Sequence, residues 1–206
     1  MHYTTEEGHD PLPFDPFKAI IAPRPIGWVS TVDRQGRPNL APYSFFAAIS
    51  SRPNMIGFTS DGLKHSPRNA RDTGEFVFNL ATMDLLEPMN RTSEEVADGV
   101  NEFEVAGLGM VPSLRVTPPR VAGVAAALEC KVTSFQEIQD MDGKAIDRYL
   151  VIGQVVATYI DDRFIKDGRF DTAGAKPLGR CGYRDYAAVE SMFELLRPTD
   201  PGRVVR

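Results

Sequence analysis

A mainly β domain with short helices inserted between its strands is the fold class that the sequence predicts. Three observations carry it. Ala127–Gln139 alternates, with Leu128, Cys130 and Val132 interleaved by Glu129, Lys131 and Thr133, which is the half-buried antiparallel pattern. Tight-turn signals recur at Gln35-Gly36, Asp142-Gly143 and Asp167-Gly168. With 17 glycines and 16 prolines in 206 residues, turns and short strands are favoured over long helices. A single barrel or sandwich satisfies all three.

In chain order, residues 1–13 are polar and proline-containing and are expected to form a mobile arm, with the folded domain running over 14–196 and a loose tail over 197–206. Pro16 to Ile21 suits one or two helical turns, after which Pro23 and Pro25 force extension. Trp28 to Val32 is β-branched and aromatic and therefore extended, with Trp28, Ser30 and Val32 on one face and Val29 and Thr31 on the other. After the Gly36 turn, Leu40 to Phe46 returns as a segment of small, hydroxylated and aromatic residues, which suits a pocket against a flat, polar-edged ring. Asn54 to Thr59 is a third strand, and Glu75 to Leu80 a fourth, with Phe76 and Phe78 on one face.

Between those two strands, Ser66-Pro67 reads as an N-cap and first helical residue, and Gly74 as the stop. Lys64 and His65 precede the cap. A helix N-terminus with a neighbouring cation can hold an anion, but from the segment alone an ordinary capped surface helix is the favoured reading, being far commoner than an anion site. Met83 to Leu108 has helical character, with a capping-box pattern at Thr92 to Glu95. Gly107 to Pro119 reads as a loop. The long alternating strand turns at Asp142-Gly143 and returns as Tyr149 to Ile160. Leu178 to Tyr186 reads as a loop, and Glu190 to Leu195 as a last helix.

Composition narrows the function. The formal net charge is −5, which speaks against nucleic acid as a partner and against an oligonucleotide-binding barrel. No apolar run approaches the ~20 residues of a membrane span, and Met1 to Asp10 lacks an apolar signal core, so a cytoplasmic protein is expected. Two cysteines make no disulfide framework, and Cys130 reads as an inert core thiol. Gly-x-Gly-x-x-Gly, Walker, His-Glu-x-x-His, Cys-x-x-Cys and Gly-x-Ser-x-Gly patterns are all missing, and no catalytic side chain or metal site is expected. Any chemistry is thereby assigned to a bound cofactor.

Arg24-Pro-Ile-Gly-Trp-Val-Ser-Thr-Val-Asp, Asn39-Leu-Ala-Pro-Tyr-Ser-Phe-Phe, Lys64-His-Ser-Pro-Arg-Asn and Thr73-Gly-Glu-Phe-Val-Phe-Asn-Leu resemble the flavin reductase-like, flavoredoxin-type family of FMN-binding proteins. Met89-Asn-Arg-Thr-Ser and Pro177-Leu-Gly-Arg-Cys-Gly-Tyr add to the likeness, which covers about residues 14 to 196. The resemblance implies a Greek-key split β-barrel, a homodimer, and FMN in a cleft near the subunit interface. It implies that Trp28, Ser30, Thr31, Ala41, Pro42, Tyr43, Ser44, Phe45 and Phe46 line the flavin. Thr59, Ser60, Lys64, His65, Ser66 and Asn69 would hold its ribityl and phosphate end. It further implies NADH or NADPH as electron donor, or else a non-catalytic electron carrier serving a partner protein, with a monooxygenase as another possible partner. His65 stands where the family often has an acidic residue, and Cys181 where it often has glycine. Either residue fits a ligand contact or a plain surface or packing role, and Arg24 likewise fits a phosphate contact or the surface. Arg180, in its glycine-flanked loop, is a candidate to cross the dimer interface.

Overall fold

The computed structural model describes residues 1–198, so the expected tail lies outside the described residues except for its first two positions. The chain opens with a one-turn helix, α1 (Phe17–Ile20), and the short strand β1 (Arg24–Pro25). Four strands follow: β2 (Gly27–Val32), β3 (Pro38–Tyr43), β4 (Phe46–Ser51) and β5 (Asn54–Asp61). Helix α2 (His65–Thr73) leads into β6 (Glu75–Leu80), then a 3-10 turn at Met83–Leu85, α3 (Leu86–Arg91) and α4 (Glu102–Val105). Two short strands, β7 (Met110–Val111) and β8 (Arg120–Val121), precede the long hairpin of β9 (Ala126–Gln139) and β10 (Ala145–Ile160). The chain finishes with β11 (Ile165–Lys166), β12 (Arg169–Phe170), α5 (Thr172–Ala175), β13 (Leu178–Arg180) and β14 (Tyr186–Ala188).

Seven strands make one sheet in the order β3-β2-β6-β9-β10-β5-β4, all neighbours antiparallel. The sheet is buried on both faces at its centre, because the two-residue period of a strand delivers alternate side chains to two cores. Trp28, Val77 and Ala127 face one core with Met89 of α3 and Phe103 of α4. Val29, Phe76, Phe78 and Cys130 face the other with Ala70 of α2. All six residues of β2 are therefore buried. The Cys130 thiol is fully buried, and that burial pushes its pKa up, as befits an inert core group. Gly153 permits a close crossing within the sheet: a Cβ there would lie 2.4 Å from the Phe76 ring.

Several expectations are corrected. The return segment does not run unbroken to Phe46: β3 ends at Tyr43, and Phe46 opens β4, a strand the sequence reading missed. Met83–Leu108 holds only three short helical pieces, and no helix starts at Thr92, which closes α3 instead of opening a capping box. Its hydroxyl is taken by other partners, accepting from Trp28 Nε1 (2.9 Å) and donating to the Met89 carbonyl (2.7 Å). Glu129, on the polar side of the alternating pattern, is buried, because the 107–119 loop folds over it and donates the Leu114 and Arg115 amides to its carboxylate. Leu178–Arg180 and Tyr186–Ala188 are strands in a small sheet with β1. Glu190 to Leu195 forms no helix. Phe193 is 91% exposed and Leu195 80%, so an apolar face there has nothing to pack on, and so short a helix does not stand alone. Among the described residues no helix is long and apolar enough to cross a membrane.

Candidate functional site

The site begins where β5 hands over to α2. Gly62, with φ +79°, turns the chain, and the helix starts at His65 with Lys64 as its N-cap residue. No side chain caps that first turn. Ser66, expected as the cap, lies inside the helix and is committed elsewhere. The Asn39 amide is best satisfied with its oxygen accepting from Ser66 Oγ (2.8 Å) and the Leu40 amide (3.1 Å), and its nitrogen donating to Glu102 Oε1 (3.1 Å). The other Glu102 oxygen accepts from the Leu40 amide at 3.1 Å. Burial raises the Glu102 pKa, opposed by these backbone donors and by the nearby His65. Gly74, with φ +76°, closes the helix as expected.

Between β3 and this helix start lies a cleft of about 400 Å³. Ala41, Pro42 and Tyr43 form one wall, Lys64, His65, Ser66 and Arg68 another, and Thr92 to Val96 a third, with Asn39 and Glu102 in the lining between them. The Tyr43 hydroxyl shares hydrogen bonds with Ser66 and Ser60, but burial outweighs them and pushes its pKa up to about 12. It therefore keeps its proton throughout the neutral range. Lys64, His65 and Arg68 bring up to three positive charges to the first turn of α2, which already carries unpaired backbone donors. Asp98 and Glu95 face them: Lys64 Nζ lies 2.9 Å from Glu95 Oε1, His65 Nε2 3.2 Å and Arg68 Nη2 2.5 Å from Asp98 Oδ1. The Arg68 hydrogen bond and charge hold the Asp98 carboxyl below its usual range, and Lys64 does the same for Glu95.

Of the fifteen residues expected to hold a ligand, six line this cleft: Ala41, Pro42, Tyr43, Lys64, His65 and Ser66. Four others stand behind the wall and cannot reach a ligand as side-chain contacts. Trp28 and Ser30 are fully buried, the first bonded to Thr92 and the second to the Pro119 carbonyl (2.6 Å). Thr31 and Asn69 satisfy one another at 3.1 Å, fastening α2 to β2. The remaining five lie outside the lining. Ser60 donates to the Gly62 carbonyl (2.9 Å), and the Thr59 amide donates to the Phe45 carbonyl (2.8 Å). The Phe46 ring stacks on Phe78 with 4.9 Å between centroids. Phe45 is exposed beneath the Arg24 guanidinium, and Ser44 is half-buried beside it. Arg24 itself is no phosphate ligand: it is buried and donates to the Lys18 and Cys181 carbonyls. Asn39, Arg68, Thr92, Glu95 and Glu102 join the site without having been singled out for it. Asn39, Arg68 and Thr92 carried a sequence signal as parts of the resembling motifs, and Glu95 as part of the expected capping box, whereas Glu102 carried none.

The donor chemistry fits a phosphorylated, partly apolar ligand. A cationic, uncapped helix start matches a phosphate. Ala41, Pro42, Leu63 and Val96 supply apolar surface, and the Tyr43 hydroxyl and Ser66 sit in the same lining.

Residues 21–174 match the family model described as flavin reductase like domain. An uncharacterised protein of Halalkalibacterium halodurans is 34% identical over 184 residues, covering 87% of this chain and 88% of its own. Among solved structures, nitrilotriacetate monooxygenase component B from Bacillus cereus superposes with a TM-score of 0.85 at 26% identity, covering 95% of this chain and 98% of its own. Flavoredoxin of Desulfovibrio vulgaris superposes with a TM-score of 0.77 at 20% identity, covering 98% and 100%, a likeness of fold alone. The fold is the expected mainly β split barrel.

Proposed function

The chain belongs to the flavin reductase-like family, and from that premise we propose that it is an FMN-dependent oxidoreductase with its flavin in the cleft between β3 and the start of α2. One observation carries the placement: Lys64, His65 and Arg68 gather at a helix start that no side chain caps, at the edge of a cleft lined by Ala41–Tyr43. When bound, the flavin ring supplies the acceptance and donation of hydride that no side chain offers. The chain's residues bind and orient. The three basic side chains and the first-turn amides hold the phosphate. Ala41 and Pro42 give the ring a surface, and the Tyr43 hydroxyl remains a donor at neutral pH. Asn39, Ser66 and Glu102 lock the wall to the helix and so fix the distance between the two ends of the ligand. FMN suits the site better than FAD, because the basic cluster serves one terminal phosphate and the sequence has no adenine-binding motif.

NADH or NADPH is the proposed hydride donor, and a partner monooxygenase a fitting acceptor, given the name of the Bacillus cereus relative. The test is anaerobic mixing of the FMN-loaded protein with each nicotinamide. Loss of the oxidised-flavin absorbance with either one is expected, and a spectrum unchanged by both overturns the reductase reading. The flavoredoxin-type resemblance of the sequence motifs gives a second reading, a carrier that receives electrons from a protein partner. A carrier retains its flavin through dialysis and ignores both nicotinamides, whereas a reductase reacts with at least one.

A further inference from the structure

We propose that residues 93–100 form a strap whose carboxylates compete with the flavin phosphate for its cations, so that FMN is held as an exchangeable ligand. The inference rests on the FMN reading above and deepens it.

Both ends of the strap are fixed. At one end Thr92 is buried and bonded to Trp28 and Met89. At the other, Asn101 caps α4 through its side-chain oxygen, and Glu102 is buried against the Leu40 amide. Between these anchors every residue except Val96 is exposed. The backbone bonds of this stretch are local turns, from Ser93 to Asn90, Glu94 to Arg91 and Val100 to Ala97. The strap meets the body through Val96 in the cleft and through ion pairs. Glu95 takes Lys64. Asp98 takes Arg68 and His65, and lies 3.7 Å from Arg37.

These are the cations that the phosphate requires. Carboxylate oxygens thus already engage these cations, with the same charge sign and the same acceptor chemistry as phosphate oxygens. The pairs are solvent-exposed, so each is individually weak and salt-screened. A phosphate monoester carries about 1.5 to 2 negative charges and three acceptor oxygens, enough to displace two single carboxylates. Its net gain is reduced by the pairs it breaks, while a flavin without phosphate breaks none.

Glu95→Gln and Asp98→Asn remove the competitors without changing side-chain size, and Glu94→Gln is the control. Glu94 lines the same cleft and carries the same charge, but among the described residues it pairs with none of these cations. Affinities for FMN and for riboflavin are measured by quenching of flavin fluorescence. The double variant is expected to bind FMN about five- to tenfold more tightly, the order set by two or three exposed ion pairs that no longer need breaking. Riboflavin affinity should stay within about twofold. Unchanged or weaker FMN binding overturns the proposal, as does an equal gain for riboflavin. An equal gain from Glu94→Gln also overturns it, because net charge would then be the cause. If the wild-type protein binds riboflavin and FMN but the variants show no such difference, the strap fails alone. If it binds neither, the FMN reading fails with it.

Discussion

Trp28 shows how a residue can be read correctly for its surroundings and wrongly for its role. An indole flanked by Ser30 and Thr31 suggests a flavin contact, yet all three are fully buried. What one dimension hides is Thr92, 64 residues away, whose hydroxyl receives the indole N–H at 2.9 Å. Thr92→Val keeps the shape and leaves that donor without its acceptor, so a loss of about 1–3 kcal/mol in urea unfolding is expected. Glu102, the first residue of α4, is similarly invisible, because its partners Asn39 and Leu40 lie on the distant strand β3. Its folded-state pKa is raised by burial above the ordinary 4.5. The folded protein therefore binds this proton more tightly than the unfolded chain does. The stability it contributes is full below the unfolded pKa and is lost as pH rises through the folded value. Relative to Glu102→Gln, the wild type should thus lose stability from about pH 4.5 upwards. Paired unfolding curves across that range would show it, and a constant difference would remove Glu102 from the account.

At the scale of elements, local chemistry was legible and long-range demand was not. Gly74 was readable as a helix stop because its positive φ is a local requirement. A Cβ there meets nothing within 4 Å, so Gly74→Ala should cost only the conformational term, about 1 kcal/mol by thermal or urea unfolding. Ser66-Pro67 was misread as a cap because Asn39, on β3, claims the hydroxyl and the helix begins earlier. The β9–β10 hairpin was legible from its alternation and its Asp142-Gly143 turn. Gly153 within it gave no signal, since its reason is the Phe76 ring of another strand. Gly153→Ala forces that ring or the backbone to move, and a cost of about 1–3 kcal/mol is expected. If the variant unfolds with the wild type, the close approach relaxes freely. The last predicted helix failed for the converse reason: Glu190 to Leu195 has suitable residues and no surface to lie on.

For the whole molecule, the open question is what covers β4. It ends the seven-stranded sheet, and Phe46–Ser51 contains neither charge nor proline to discourage pairing. Ala47 and Ala48 are exposed on it, and Ile49 is 48% exposed. Phe17 and Ile20 of α1 are also exposed, at 53% and 74%. An antiparallel edge can pair with its own copy about a two-fold axis, which covers both edges at once. The expected state is therefore a homodimer, and the family resemblance implies the same. Light scattering at micromolar concentration should give about twice the 22.7 kDa of one chain. Ile49→Glu, which places a charge on the exposed edge without entering either core, should shift the mass towards one chain while far-ultraviolet circular dichroism stays unchanged. A wild-type protein that is monomeric at that concentration would leave the edge strand unexplained and remove the subunit interface from the flavin site. A dimer indifferent to Ile49→Glu would move the interface to another face, with β4 then covered by something other than a second copy.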